Sequence, residues 1–231
     1  MTQPLIIAEF GSSPAAYGWP FAEWCEAARQ AGANAVKVQI FYSSHFPPPY
    51  DAHHKPHEFP RERLGEFVRA AHVYDLSVGA SVFDEEAAIL TGQECDWMKL
   101  ASREEQNWKL LTQVYDNRKP GTKIYRSLSN FSYFASDSMI IHLYALQEYP
   151  APMWKSFYWL IQAVRFFKRK RVAWGWSSHT TGFSDCVMAA QLGASVIEKH
   201  LMLSPQDIEA SHSLLPRDFA RMVKAIRQQG V

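Results

Sequence analysis

Short apolar, β-branched runs alternate with longer segments of helical period along almost the whole chain, and this alternation most narrows the folds open to it. The runs fall at residues 5–10, 35–41, 77–83, 97–102, 123–129, 138–144, 172–178 and 195–202. Helical periodicity occupies 20–31, 60–74, 84–91, 104–116, 152–169, 181–192 and 216–229. Eight buried strands separated by crossover helices predict an α/β fold, a TIM (β/α)8 barrel forming one domain over residues 1–231. Gly32 and Gly193 stand where a left-handed residue can end a helix before a strand. The barrel is expected to be irregular, because residues 130–136 are too few for a crossover helix and leave helix 5 shortened or missing. Residues 43–59 follow the second strand and carry Pro47, Pro48, Pro49 and Pro56, which exclude regular helix and suggest a lid over the active-site face.

A composition 47% hydrophobic supports a continuous core. Lys plus Arg number 24 against 23 Asp plus Glu, so the overall charge predicts neither a nucleic-acid partner nor a membrane-surface binder, and any anion site must be local. Cys25, Cys95 and Cys186 are far apart and form no CxxC pair, which points to buried free thiols. The opening MTQPLIIAEF has no basic leader, and no apolar run approaches the ~20 residues of a membrane span, so a cytoplasmic location is expected.

A barrel gathers the C-terminal ends of its strands around one pocket, and the polar residues of this chain concentrate there. Glu9 ends the first strand, Lys37 and Gln39 lie on the second, Lys99 and Ser102 on the fourth, Ser177 and His179 close the seventh, and Glu198 and His200 lie on the eighth. Residues two apart share a face, so Lys37 with Gln39, Ser177 with His179, and Glu198 with His200 can point inward while Lys199 points away. Lone buried Lys, Glu and His are costly, and their recurrence at one end of several strands suggests a bound anion and cation. Two imidazoles, His179 and His200, suit a borderline divalent metal with positions left open, while lysines and hydroxyls suit a phosphate and a carboxylate. His53, His54 and His57 sit in the proline-rich segment and read as solvated loop residues.

With these positions in hand, the chain resembles the sialic acid synthase family. IIAEFG is similar to the family's IAEIG and gives Glu9; AVKVQIF resembles its KxQ strand and gives Lys37 and Gln39. WMKLASREE resembles K-I-x-S-x-E and gives Lys99, Ser102 and Glu104, and QEYPAP resembles N-x-YPTP with Gln147 and Tyr149. WGWSSHTTG resembles G-x-SDHT with Ser177, His179 and Ser178 in the aspartate's place; VIEKH gives Glu198 and His200; IEASHSLLP resembles GPDxxxSLxP with Glu209 for the aspartate.

The resemblance implies that C3 of phosphoenolpyruvate adds to the aldehyde carbon of an acyl-amino sugar or related aldehyde, while water attacks C2 and phosphate leaves. It implies Glu9, Glu104 and Glu198 as catalytic groups, and Lys37, Gln39, Lys99, Ser102, Ser127, Gln147, Tyr149, Ser177 and Glu209 as substrate contacts. A divalent metal, Mn2+ or Mg2+, would sit on His179 and His200, and a homodimer is implied. The similarity covers the barrel and stops short of the family's C-terminal antifreeze-like domain. The fifth strand around Ser127 aligns poorly, and Ser13 and Pro14 stand where Asn-His is usual. Two alternatives follow from the fold itself: a metal-dependent aldolase or lyase, and a non-catalytic barrel acting as a binding or scaffold protein.

Overall fold

The β-branched runs become strands because their side chains pack on both faces of a buried parallel sheet, and the amphipathic segments between them close over it. The structure, a computed structural model, describes residues 3–228; residues 1–2 and 229–231 of the expected domain, with the expected helix end at 229, lie outside the described residues. Eight strands close in chain order: β1 (Leu5–Gly11), β2 (Ala35–Ile40), β3 (Ser77–Val82), β4 (Trp97–Leu100), β5 (Ile124–Leu128), β6 (Ile140–Ala145), β7 (Trp174–Ser178) and β8 (Val196–Leu201), with β1 pairing β8 in parallel. A two-residue strand, β9 (Ser213–Leu214), adds to the end of β8, pairing Ser213 with His200. The closed parallel barrel agrees with the sequence reading.

The helices are α1 (Phe21–Gln30), α2 (Tyr50–His54), α3 (Leu64–Val73), α4 (Glu85–Glu94), α5 (Trp108–Asn117), α6 (Met153–Lys170), α7 (Ser184–Gln191) and α8 (Pro216–Arg227). Gly32 and Gly193 take positive φ, 87° and 97°, at the joins into β2 and β8. No helix among the described residues is long and apolar enough to cross a membrane.

Between β5 and β6 only a 3₁₀ turn, Phe131–Tyr133, replaces the fifth crossover helix. Aromatic side chains fill the space it leaves: Phe131 stacks on Phe166 of α6 at 4.4 Å, and Phe134 packs 4.8 Å from His142 of β6. Two expectations need correcting. The helix expected over 104–116 begins only at Trp108, because Ser102–Glu104 forms a 3₁₀ turn and the Asn107 side chain caps α5 by accepting from Leu110 N at 3.0 Å. The proline-rich segment does hold a short helix, α2, since Pro47 to Pro49 precede it and Pro56 follows it, so none interrupts its interior.

An apolar plug of Ile7, Ala35, Trp97, Tyr125, Leu143 and Val196 fills the lower barrel, with the Trp97 and Tyr125 rings edge to face at 4.9 Å. A Cβ on Gly79 would lie 2.3 Å from the Trp97 ring, so β3 gives up its side chain to admit the indole. Above this floor the polar residues face the open end.

Candidate active site

Parallel register places the polar side chains in one layer, pairing Glu9 with both Lys37 and His200, Ser81 with Lys99, and Ser177 with Glu198. They line a cavity of about 710 Å³ at the C-terminal mouth. Of the residues expected from sequence, Glu9, Lys37, Gln39, Lys99, Ser102, Ser127, Gln147, Tyr149, Ser177, His179, Glu198, His200 and Glu209 all line it. Glu104 does not. It lies in the turn after β4, where its carboxylate accepts from Asn107 Nδ2 at 2.9 Å, so the structure does not bring it to the other groups. Lys199 points outward as alternation requires, buried and donating to Thr180 O at 2.5 Å and to Ser178 Oγ at 3.3 Å.

Glu198 is the centre of the buried charges. Its Oε1 accepts from Lys99 Nζ at 2.6 Å and from Ser177 Oγ at 2.9 Å, and Lys37 Nζ stands 3.9 Å from its Oε2. Burial alone would raise its carboxyl, but Lys37 and then Lys99 outweigh this and hold it down at about 2, so it is ionised at neutral pH. Lys37 also forms an ion pair with Glu9 and donates to Ser81 Oγ at 2.8 Å. Burial shifts its ammonium downward, with Glu198 opposing. Two cations and two carboxylates thus share the inner cavity, and their geometry satisfies charges that would be costly alone.

A second group surrounds His200. Its Nδ1 donates to Glu209 Oε2 at 2.7 Å, and the His212 ring lies 4.6 Å away, with His179 5.6 Å away on the other side. His179 Nδ1 donates to Leu146 O at 2.5 Å, and the Tyr149 ring covers it at 4.3 Å. Burial lowers the imidazoles of His179 and His200 well below 6.5 and that of His212 to about 3, which keeps their free nitrogens as lone-pair donors at neutral pH. Burial raises the Glu209 carboxyl, with His212 opposing. Glu209 fits only because Gly11 has no side chain: a Cβ there would lie 1.9 Å from Glu209 Oε2. The Glu209 Oε1 accepts from Ser12 N at 3.0 Å. Neutral imidazoles beside a carboxylate are a donor set that suits a divalent cation, so the residues present fit a metal.

The segment after β2 reaches this mouth. Phe46 and His54 line the cavity with their rings stacked at 3.8 Å, and the Arg103 guanidinium lies 4.2 Å over Phe46. Of the histidines read as solvated, His53 is exposed, while His54 and His57 are half-buried. Sequence reasoning missed Ser12, Ser81, His54 and His212 in the lining. For His212 the available signal was the Glu209-x-x-His212 spacing just past the eighth strand.

A model of the NeuB family matches residues 24–230. The chain belongs to the NeuB family. It is 28% identical over 187 residues to a pseudaminic acid synthase of Helicobacter pylori, covering 73% of this chain and 52% of that protein. It is 25% identical over 221 residues to an uncharacterized protein of Methanocaldococcus jannaschii, covering 89% of this chain and 64% of the other. The chain therefore spans about half to two thirds of the length of these curated relatives. Among solved structures, an N-acetylneuraminic acid synthetase from Leptospira borgpetersenii in complex with citrate superposes with a TM-score of 0.87 at 23% identity, covering 98% of this chain and 84% of that one. A truncated 3-deoxy-D-arabino-heptulosonate 7-phosphate synthase from Thermotoga maritima gives 0.70 at 16% identity, covering 98% and 86%. These two likenesses establish the barrel fold.

Proposed function

We propose that this chain catalyses a phosphoenolpyruvate-dependent aldol-type condensation with an acyl-amino sugar or a related aldehyde, giving a sialic-acid-like 2-keto acid and phosphate. The observation that carries it is the pairing, in one cavity, of an inner Lys37–Lys99–serine layer with the histidine and carboxylate group around His200. Family membership and the pseudaminic acid synthase relative support the same reaction type.

In this reading Lys37, Lys99, Ser102, Ser127 and Ser177 bind the phosphate and carboxylate of phosphoenolpyruvate by charge and hydrogen bonds. Glu198, anchored by Lys99 and Ser177, keeps the lysines oriented and stays ionised. Glu9, rather than Glu104, takes the proton of the water that attacks C2, because only Glu9 lines the cavity. Gln39, Gln147 and Tyr149 face the acceptor; Gln147 Nε2 donates to Ser102 O and Oγ, both at 3.0 Å, and so links the two substrate regions. A divalent cation held at His179 and His200 would supply Lewis acidity toward the aldehyde oxygen. Phe46 and His54, which line the mouth, would shield the reacting carbons from water. The reading carries a cytoplasmic location with it, where phosphoenolpyruvate is available.

The test is phosphate release from phosphoenolpyruvate in the presence of Mn2+ and a panel of acyl-amino sugars and simpler aldehydes. Stoichiometric phosphate and 2-keto acid with at least one acceptor is the expected result. Cleavage of a 2-keto acid without any phosphoenolpyruvate chemistry would favour the aldolase or lyase alternative instead.

A further inference from the structure

The sequence motifs put the cation on His179 and His200. The folded cavity offers a different set. The one group of three or more His, Cys, Asp or Glu side chains close enough to share an ion, among the described residues, is His200, Glu209 and His212, whose donor atoms all lie within 4.8 Å of one another. We propose that His212, together with His200 and Glu209, holds the divalent cation in this chain, with His179 as an additional donor at its edge. The proposal refines the cation of the reaction proposed above.

Position in the fold argues for it. His200 is the last polar residue of β8, and Ser213, directly after His212, pairs with it across β8 and β9. That short ladder brings the His212 ring to 4.6 Å from the His200 ring, at 69° between planes, against 5.6 Å for His179. A metal bond to imidazole nitrogen is about 2.1 Å, so donors this close need only small side-chain rotations to meet on one ion. His200 and His212 are buried, and Glu209 is half-buried with its Oε1 pinned by Ser12 N, so this is no loose surface cluster. Gly11 leaves the room in which Glu209 reaches His200.

Chemistry distinguishes His179 from the other two. Its Nδ1 is committed to Leu146 O and its ring is held by Tyr149, so one fixed nitrogen remains. His212 Nδ1 meets the neighbouring Ser211 Oγ at 3.2 Å, and its Nε2 lies 4.0 Å from Glu209 Oε2. In the family pattern GPDxxxSLxP, His212 falls on the last open position, so this donor belongs to the present chain rather than to the motif. Two or three imidazoles with one carboxylate favour Mn2+, Fe2+, Co2+ or Zn2+ over Mg2+, which prefers oxygen ligands and keeps its waters.

The experiment uses the full chain freed of metal by chelation and titrated with Mn2+ alone by calorimetry, then with Co2+ alone by visible absorption. His212→Asn should weaken Mn2+ binding at least about tenfold and alter the Co2+ spectrum, and His179→Asn should have the smaller effect. Mg2+ in large excess should not displace Mn2+. Mn2+ affinity within twofold of the unmutated chain in a folded His212→Asn variant would overturn the proposal. Should that variant fail to fold, imidazole 15N spectra of the unmutated chain with Zn2+ decide: the His212 nitrogens must shift with those of His200, and an unmoved His212 overturns it. Neither readout involves phosphoenolpyruvate, whose binding tests the proposed function separately.

Discussion

At the scale of single residues, the inner cavity depends on Glu198, and its partners are close enough to measure against it. Lys99 Nζ lies 2.6 Å from Glu198 Oε1 with both side chains about 3% exposed. Removing one member of such a pair leaves an uncompensated buried charge and costs roughly 3–5 kcal/mol, while replacing both costs less. Lys99→Met should therefore lower the unfolding free energy steeply, and adding Glu198→Gln should recover part of the loss. Urea unfolding of the four proteins of the cycle checks this; additive effects would mean that the two side chains do not interact. These positions were legible in the sequence because two-residue alternation on a strand decides which side chains enter the lumen, for Lys37 with Gln39 and for Glu198 with His200. Glu104 was not, since it lies past the strand in a turn whose direction no periodicity reports. His212 was missed for a related reason: its place depends on the two-residue strand β9, too short to leave a pattern.

At the scale of elements, the missing crossover helix leaves a polar face of the barrel to be covered by other means. His142 and Arg126 are register neighbours on β6 and β5, and both are buried on the outer side, where a helix would otherwise stand. The turn after β5 covers His142, whose Nε2 donates to Ala135 O at 2.9 Å while Phe134 packs on its ring; the segment leading into α5 covers Arg126, which donates to Glu105 O and lies 4.4 Å from the Trp108 ring centre. Burial, reinforced by Arg126 and opposed by the bond to Ala135, lowers His142 from 6.5 to about 4. The folded state therefore binds its proton less readily than the unfolded chain does. Its contribution is whole above pH 6.5 and is lost as the pH falls from 6.5 toward 4, at a slope of at most about 1.4 kcal/mol per pH unit. His142→Gln, which keeps a donor for Ala135 O, should flatten the stability profile over that window. Identical slopes for the two proteins in urea unfolding at pH 7, 6, 5 and 4.5 would refute the assignment. The absence of a helix here was legible as a count of residues, whereas the aromatic cover was not, because Phe131, Phe134 and Phe166 come together only once β5, β6 and α6 are in place. The short helix α2 was likewise hidden, by prolines that turn out to flank it.

At the scale of the whole molecule, the histidine and carboxylate group lies on the seam where the barrel closes. β1 and β8 are the first and last strands of the cylinder; Glu9 pairs with His200 across them, and Ser12 N, just past β1, donates to Glu209 beyond β8. A cation bound at these donors would fix Glu209, whose bond from Ser12 N spans 197 residues of sequence, and so brace the seam through it. An ion that binds only the folded state stabilises it by about 2.7 kcal/mol at a hundredfold excess over its Kd. For a chain of this size that corresponds to a rise of roughly 5–10 °C in Tm. Mn2+ should raise the melting temperature by that order, Mg2+ at the same concentration should do much less, and chelator should reverse the gain. His212→Asn should remove most of the rise, whereas Lys99→Met, which lowers the starting Tm, should leave the increment nearly intact because Lys99 is not among the proposed donors. A Tm that ignores Mn2+ in the unmutated chain, at concentrations saturating by calorimetry, would mean that the ion binds the unfolded chain as well and does not fasten the seam.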